Sequence, residues 1–227
     1  MKKYIFVTIL IITVVSSFSQ DGGKPKIRLS IVASPQLSWL KPDINLAEND
    51  GMKPGFKFGL NIDYFFQENY AFSTSLLINN CGGIVRYTGQ NIPFIAGDSV
   101  YQFSSGVSVT YKLQYIEIPL SVKLKTNRIG YFTFYGLFGL HPMININAKG
   151  DVNQGSITDA NISREVNSFN MGYHIGGGLE YEIGNSFAIS AGLVFSNGFT
   201  DITTNTTGRK NDKTILNSLT LLVAFLF

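Results

Sequence analysis

Apolar and polar positions alternate along most of this chain, with a period of two residues. Between Phe56 and Phe66 every second position up to Tyr64 is apolar, while Lys57, Gly59, Asn61 and Asp63 lie between them. Such alternation predicts a β-strand with one apolar and one polar face. The pattern recurs in 168–183, 187–195 and 219–227, and more loosely in 29–39, 70–80 and 131–140. No stretch after residue 20 keeps a helical period for three turns, so we predict an all-β fold.

An eighth strand, 111–125, changes phase. Tyr111, Leu113 and Tyr115 are apolar at odd positions, whereas the apolar residues from Ile116 to Leu124 lie at even positions. If all of them face the same side, one extra residue must restore the facing. We therefore predict a β-bulge near Tyr115 and Ile116.

The connections between these eight strands alternate in length. Residues 67–69, 127–128 and 184–185 form short turns, and 40–53, 83–108, 144–167 and 198–213 are long and polar. Transmembrane barrels show this asymmetry, and their strands need about 9–11 tilted residues to cross a bilayer. Because lipid cannot satisfy an open sheet edge, the sheet must close. The prediction is an eight-stranded antiparallel up-and-down transmembrane β-barrel with both termini in the periplasm.

The two ends of the chain carry targeting features. Lys2 and Lys3 precede an apolar run from Tyr4 to Val15 and then small residues, which is the pattern of a secretory signal peptide. We predict a signal peptide at 1–19 and a single barrel domain at 20–227. Phe227 ends the last alternating strand in phase, and we interpret it as a C-terminal signal for the barrel assembly machinery.

Composition excludes several functional classes. The chain has 18 Lys and Arg against 15 Asp and Glu, and without Lys2 and Lys3 the balance is 16 to 15, so nothing favours binding to nucleic acid. Cys81 is the only cysteine, which excludes an intramolecular disulfide and a cysteine-rich metal site. We interpret it as a packed structural thiol and expect no metal and no cofactor.

If the apolar faces contact lipid, the charged residues between them face the barrel lumen. An eight-stranded barrel has an interior that side chains just fill, so these charges should pair and close it. A proton or ion path is the alternative. The residues concerned are Lys57, Asp63, Lys112, Gln114, Glu117, Lys123, His174, Glu180 and Glu182.

The segment 87–106 is the most apolar of the long connections, with Phe94, Ile95, Tyr101 and Phe103 on a polar background. Rigid strands position such loops, and function often resides in them. These side chains either dock a partner protein or fold over the barrel mouth, and the sequence favours neither.

The central segment from Leu113 to Lys125 resembles the PorT-like outer-membrane β-barrel proteins of Bacteroidota. The tracts 130–139 and 176–181 are similar to that family as well, and the resemblance covers essentially the whole mature chain. It implies an outer-membrane barrel with an accessory part in type IX secretion and gliding, with secretion-apparatus proteins as partners. It carries no catalytic motif.

Three hypotheses for function follow. The first is a non-catalytic outer-membrane component of protein export, and the second is a binding or adhesion barrel that acts through its loops. The third is a lipid-modifying enzyme with a Ser/His pair. His174 lies on the predicted inner face and His141 precedes Pro142 at a predicted strand end, so we do not expect the two histidines to form one lipid-facing site.

Overall fold

The structure, a computed structural model, describes residues 26–43, 47–89, 92–97, 99–153, 157–184, 186–204 and 213–227. The predicted signal peptide at 1–19 lies outside these residues. The described residues form strands, turns and irregular segments, and none of them is helical. The strands are β1 (Ile27–Pro42), β2 (Ala47–Gly51), β3 (Lys53–Gln67), β4 (Tyr70–Tyr87), β5 (Ile92–Ala96), β6 (Ser99–Phe103), β7 (Val107–Glu117), β8 (Leu120–Lys125), β9 (Phe132–Val152), β10 (Ile157–Asn161), β11 (Phe169–Ile183), β12 (Phe187–Gly198) and β13 (Thr214–Leu226).

Eight strands close into an antiparallel ring. β1 pairs with β3 on one side and with β13 on the other, and the ring continues through β4, β7 with β8, β9, β11 and β12. β7 and β8 keep one register against both β4 and β9, so they are a single barrel strand interrupted at Ile118 and Pro119. The predicted eight-stranded barrel is confirmed.

Short turns join the strands at one end of the barrel, which we call the turn end, and both β1 and β13 reach it. The long connections lie at the opposite end, the loop end. Parts of these connections are themselves ordered as strands: β9 runs to Val152, and the segment 92–103 forms a two-stranded hairpin. We call this β5–β6 unit the loop-end hairpin.

An apolar belt covers the outside of the barrel. On each strand the exposed large side chains follow the alternation seen in the sequence, because neighbouring residues point to opposite faces. On β3 the belt consists of Phe56, Phe58, Leu60, Ile62 and Tyr64, and on β11 of Phe169, Tyr173, Ile175 and Tyr181. Closure of the ring pairs the strand edges, which is the condition for exposing such a surface to lipid.

Above the belt, toward the loop end, the facing of apolar side chains is reversed. On β7 the odd-numbered residues point inward, and those from Val107 to Tyr115 are all buried. They belong to an apolar cluster that fills the barrel at this end, which we call the loop-end core. It also includes Leu40, Cys81, Val85, Tyr87, Phe94, Met143, Ala148, Val152, Ile162, Val166, Ile202 and Leu216.

This reversal corrects the predicted bulge. β7 pairs with β4 without any register shift, so the change of apolar phase near Tyr115 reflects a change from core-facing to lipid-facing residues. A register shift does occur at this level, but the extra residue is Ile146 of β9, between the pairs Gln114↔Asn147 and Tyr115↔Asn145. The predicted bulge was therefore assigned to the wrong strand.

Glycines make room for one large lumen side chain. A Cβ atom added to Gly178 of β11 would lie 2.7 Å from the Tyr135 hydroxyl, and one added to Gly192 of β12 would lie 2.5 Å from it. The Tyr135 ring thus occupies space that two neighbouring strands leave free. The run of glycines at 176–178 accordingly accommodates close packing inside the barrel wall.

Candidate functional site

The middle of the lumen holds a buried ion pair. Lys57 of β3 and Glu117 of β7 both point inward, and the Lys57 Nζ atom lies 3.0 Å from each carboxylate oxygen of Glu117. The Asn79 side chain donates to the same carboxylate at 2.6 Å and accepts from Gln36 at 2.6 Å. All four side chains are buried, so their polar groups satisfy one another across four strands.

A second charged cluster lies nearer the turn end. The Lys123 Nζ atom is 2.7 Å from a carboxylate oxygen of Asp63 and 2.7 Å from one of Glu180. Lys125 contacts Glu180 at 2.6 Å, and Arg28 does so at 3.4 Å. The Lys123 ammonium also lies 4.9 Å from the centre of the Tyr135 ring. Paired charges therefore cross the lumen at two levels.

Three of the residues expected in the lumen lie elsewhere. The prediction for Lys112 and Gln114 was wrong, because they occupy the outward face of β7 above the belt, where Lys112 contacts Asp151 at 2.6 Å and Asp159 at 3.0 Å. The expectation rested on every apolar residue facing lipid, which fails where β7 borders the loop-end core. Glu182 lies at the turn-end rim, half-buried and paired with Arg128.

A histidine pair lies beside the Lys57–Glu117 ion pair. The rings of His141 and His174 are both buried, with centroids 5.6 Å apart, and the Ser121 hydroxyl lies 2.8 Å from Nε2 of His174. The sequence placed His141 at a strand end, which was wrong because β9 continues for eleven residues beyond it, to Val152. Since His141 occupies an inward position in mid-strand, the two histidines do meet, inside the lumen.

A small cavity borders Ser121 and His174. Its volume is about 90 Å³, enough for a few water molecules. Hydroxyl groups on β1, β12 and β13 form one wall, and the two charged clusters face them from the other side. The hydroxyl residues that line it are Ser30, Ser34, Ser121, Ser190, Ser196 and Thr220.

The Ser121–His174 contact has the geometry of a nucleophile beside a base. Acyl transfer also requires donors aimed at the developing oxyanion. Ser121 lies within β8, which is paired with β4 on one side and with β9 on the other. The backbone N–H groups of this wall are therefore engaged in the sheet, and none faces the lumen beside Ser121.

The loop-end hairpin settles which of the loop aromatics are exposed. Phe94 is fully buried in the loop-end core and Ile95 is buried as well, so interpreting these two as docking residues was wrong. They fold over the barrel mouth because the core offers an apolar surface there. Tyr101 on β6 is exposed, and the Phe103 side chain lies outside the described parts of the structure.

Two further residues from the sequence have defined places. Cys81 is buried in the loop-end core. Phe227 lies on the outer face at the turn end, and its backbone exchanges hydrogen bonds with Leu29 at 2.9 and 3.3 Å. Within the described residues no three His, Cys, Asp or Glu side chains are grouped to hold a metal ion. Those residues also contain no helix with the length and apolarity needed to cross a membrane.

Comparison with known proteins assigns the family. Residues 18–204 match the model of the outer membrane protein β-barrel domain. No curated protein matches the sequence. Among solved structures, Neisserial surface protein A (NspA) shares 13% identity over 90% of this chain and 97% of its own, with a TM-score of 0.48. OprG of Pseudomonas aeruginosa shares 12% over 91% and 98%, with a TM-score of 0.48. Ail, the attachment invasion locus protein of Yersinia pestis, shares 17% over 89% and 99%, with a TM-score of 0.41.

Proposed function

This chain belongs to the outer membrane protein β-barrel domain family, and from that premise we propose that it is a non-catalytic protein that acts through its loop end. Membership places it in the bilayer of the outer membrane. The finer proposal is an accessory role in protein secretion and gliding, as the PorT-like resemblance implies. Secretion-apparatus proteins are then its partners, and the barrel assembly machinery is needed for its insertion.

The loop-end core is the observation that carries the proposal. Apolar side chains fill the barrel at the loop end, and buried ion pairs cross the lumen below them. Such a lumen offers no wide path for a solute. The surface beyond the belt remains available for specific contacts, because it is built on strands that the loop-end core holds in place.

We propose that the turn end faces the periplasm and the loop end faces the cell exterior. Short turns are typical of the periplasmic side of such barrels, and long connections of the outer side. The described chain begins and ends at the turn end, where Leu29 and Phe227 pair. Both termini are then periplasmic. A protease added to intact cells should cut only within the long connections.

Deletion of the gene tests the proposed role. We expect loss of secreted proteins from the medium and their accumulation in the periplasm, with restoration by the wild-type gene. An unchanged set of secreted proteins together with lost attachment of cells to a surface would favour the adhesion hypothesis instead. An unchanged set with normal attachment would contradict both.

Complementation with Ser121→Ala separates a structural barrel from a lipid-modifying enzyme. Ser121 and His174 form the one hydroxyl–imidazole contact described above, and alanine removes the hydroxyl. We expect Ser121→Ala to restore secretion fully. A folded Ser121→Ala protein that fails to complement, with altered outer-membrane lipids, would support the enzyme hypothesis.

A further inference from the structure

The loop-end hairpin is held firmly on one side. The Phe94 side chain is fully buried in the loop-end core. The Ile95 N–H donates to a carboxylate oxygen of Glu165 at 2.7 Å, and the Gly97 N–H donates to the carbonyl of Asn161 at 2.7 Å. One face and one edge of the hairpin are therefore fixed to the barrel, and both contacts are made by β5 and its turn.

The register of the hairpin shows which backbone groups of β6 are free. In an antiparallel pair, residues that bond across the pair alternate with residues whose N–H and C=O groups point away from it. The Ile95 N–H points to Glu165 and away from β6, so the pair Ile95↔Val100 is of the second kind. The N–H and C=O groups of Val100, and by the period of two those of Gln102, point to the outer edge of β6.

Nothing in the described parts of the chain pairs with that edge. β6 pairs with β5 alone, and the residues Ser99 to Gln102 are exposed, with Val100 61% exposed. Natural sheet edges are commonly protected by lysine, proline or a bulge. The sequence Ser-Val-Tyr-Gln-Phe contains none of these protective residues and has high strand propensity.

We infer that the outer edge of β6 is a docking site for an extended segment of another protein, which adds a strand to the loop-end hairpin. The inference rests on the proposed function and names the way in which the partner binds. Donors and acceptors that recur every second residue match an extended backbone, and an extended backbone alone satisfies all of them. β6 carries no charge, so the segment is recognised by main-chain pairing and by side chains that pack on Val100 and Tyr101.

The test uses the purified full-length barrel and a fluorescent peptide of alternating threonine and valine with lysines at both ends. A second peptide carries N-methyl groups at every second residue, which block hydrogen bonding along one edge. We expect saturable binding of the first peptide in an anisotropy titration, and binding at least about tenfold weaker for the second, because each lost hydrogen bond costs about 0.5–1.5 kcal/mol. Failure of the first peptide to bind, or equal binding of both, would overturn the inference.

Matched variants then locate the site. Val100→Pro with Gln102→Pro removes the two outward N–H groups and leaves the bonds to β5, because proline is tolerated at an edge where the N–H faces solvent. Val100→Thr with Gln102→Thr changes the same side chains and keeps both N–H groups. We expect the proline variant to lose at least about tenfold in affinity and the threonine variant to bind within about twofold of wild type. Equal loss in both variants would show recognition by side chains and contradict strand addition.

Two further outcomes are decisive. A barrel that dimerises through β6, and becomes monomeric in the proline variant, would replace the foreign segment by a second copy of this chain and overturn the inference. If the proline variant does not fold, the comparison of the two peptides on the wild-type barrel decides alone. These binding results are independent of the secretion phenotype, so failure of the proposed function and failure of this docking site are distinguishable.

Discussion

Removing the carboxylate of Glu117 should destabilise the barrel through the charge that it leaves behind. Glu117 is 3% exposed and receives hydrogen bonds from Lys57 at 3.0 Å and from Asn79 at 2.6 Å. In Glu117→Leu the Lys57 ammonium stays buried without a partner, and breaking a buried pair in this way costs about 3–5 kcal/mol. We therefore expect a loss of about 4 kcal/mol in the free energy of unfolding, from the middle of that range.

The double variant Lys57→Met with Glu117→Leu separates the charge from the packing. It removes both ions and leaves only the Asn79 N–H unpaired, which costs about 1–3 kcal/mol. The double variant should accordingly be more stable than Glu117→Leu by about 2 kcal/mol, the difference between these two costs. Arg86→Met serves as the control, because Arg86 and Asp50 form an exposed pair at the loop end, and such pairs contribute about 0–1 kcal/mol.

Urea unfolding in lipid vesicles measures these differences. Trp39 is the single tryptophan of the chain and packs against Phe195 on the neighbouring β-strands, so its fluorescence reports loss of the barrel wall. A double variant no more stable than Glu117→Leu would refute the reasoning, since the cost would then come from packing. A loss below about 1 kcal/mol for Glu117→Leu would refute it as well, because it would mean that the pair behaves like an exposed one.

Three other predictions follow from the barrel interior and its termini. Gly178→Ala would place a Cβ atom 2.2 Å from a backbone oxygen and should cost about 1–3 kcal/mol, whereas Gly136→Ala, whose nearest atom would be 3.9 Å away, should change stability by less than about 0.5 kcal/mol; boiled and unboiled samples on a gel report the folded fraction at each temperature, and equal behaviour of the two variants would contradict the packing of Tyr135. The wild-type barrel should show no stepwise conductance in a planar bilayer, because Tyr111 and its neighbours in the loop-end core close one end, and regular steps would contradict this. Phe227→Ser should lower the amount of barrel inserted in the outer membrane of cells without lowering the urea midpoint of the purified protein, and normal insertion would refute the assembly role of this residue.

The belt and the ring could be predicted from the sequence because lipid imposes one rule on every strand. An apolar residue at alternate positions faces outward, and the number of such segments gives the number of barrel strands. The lumen positions of Lys57, Glu117 and Glu180 follow from the same alternation, since they lie between belt residues on their strands. Which charges meet was not predictable, because partners such as Lys123 and Asp63 lie on strands that are far apart in sequence.

The loop end escaped prediction because alternation there has two physical solutions. Tyr111, Leu113 and Tyr115 alternate as a lipid-facing strand would, yet they face an interior core above the bilayer. A single sequence does not say where the lipid ends, so Lys112 was placed on the wrong face. Its neighbours Asp151 and Asp159, forty residues away, supply the one signal that was present: opposite charges on the outer surface.

The extra residue in β9 makes chain length a fragile property of this barrel. Below Ile146 the odd-numbered residues of β9 face inward, and beyond it the inward residues are the even-numbered Ala148, Gly150 and Val152. Loss of one residue there would exchange the two faces of everything beyond it, turning Lys149 toward the core. Evolution can therefore vary side chains along this strand far more freely than it can insert or delete a codon, and the single-residue offset fixes the frame in which the outer half of the protein diversifies.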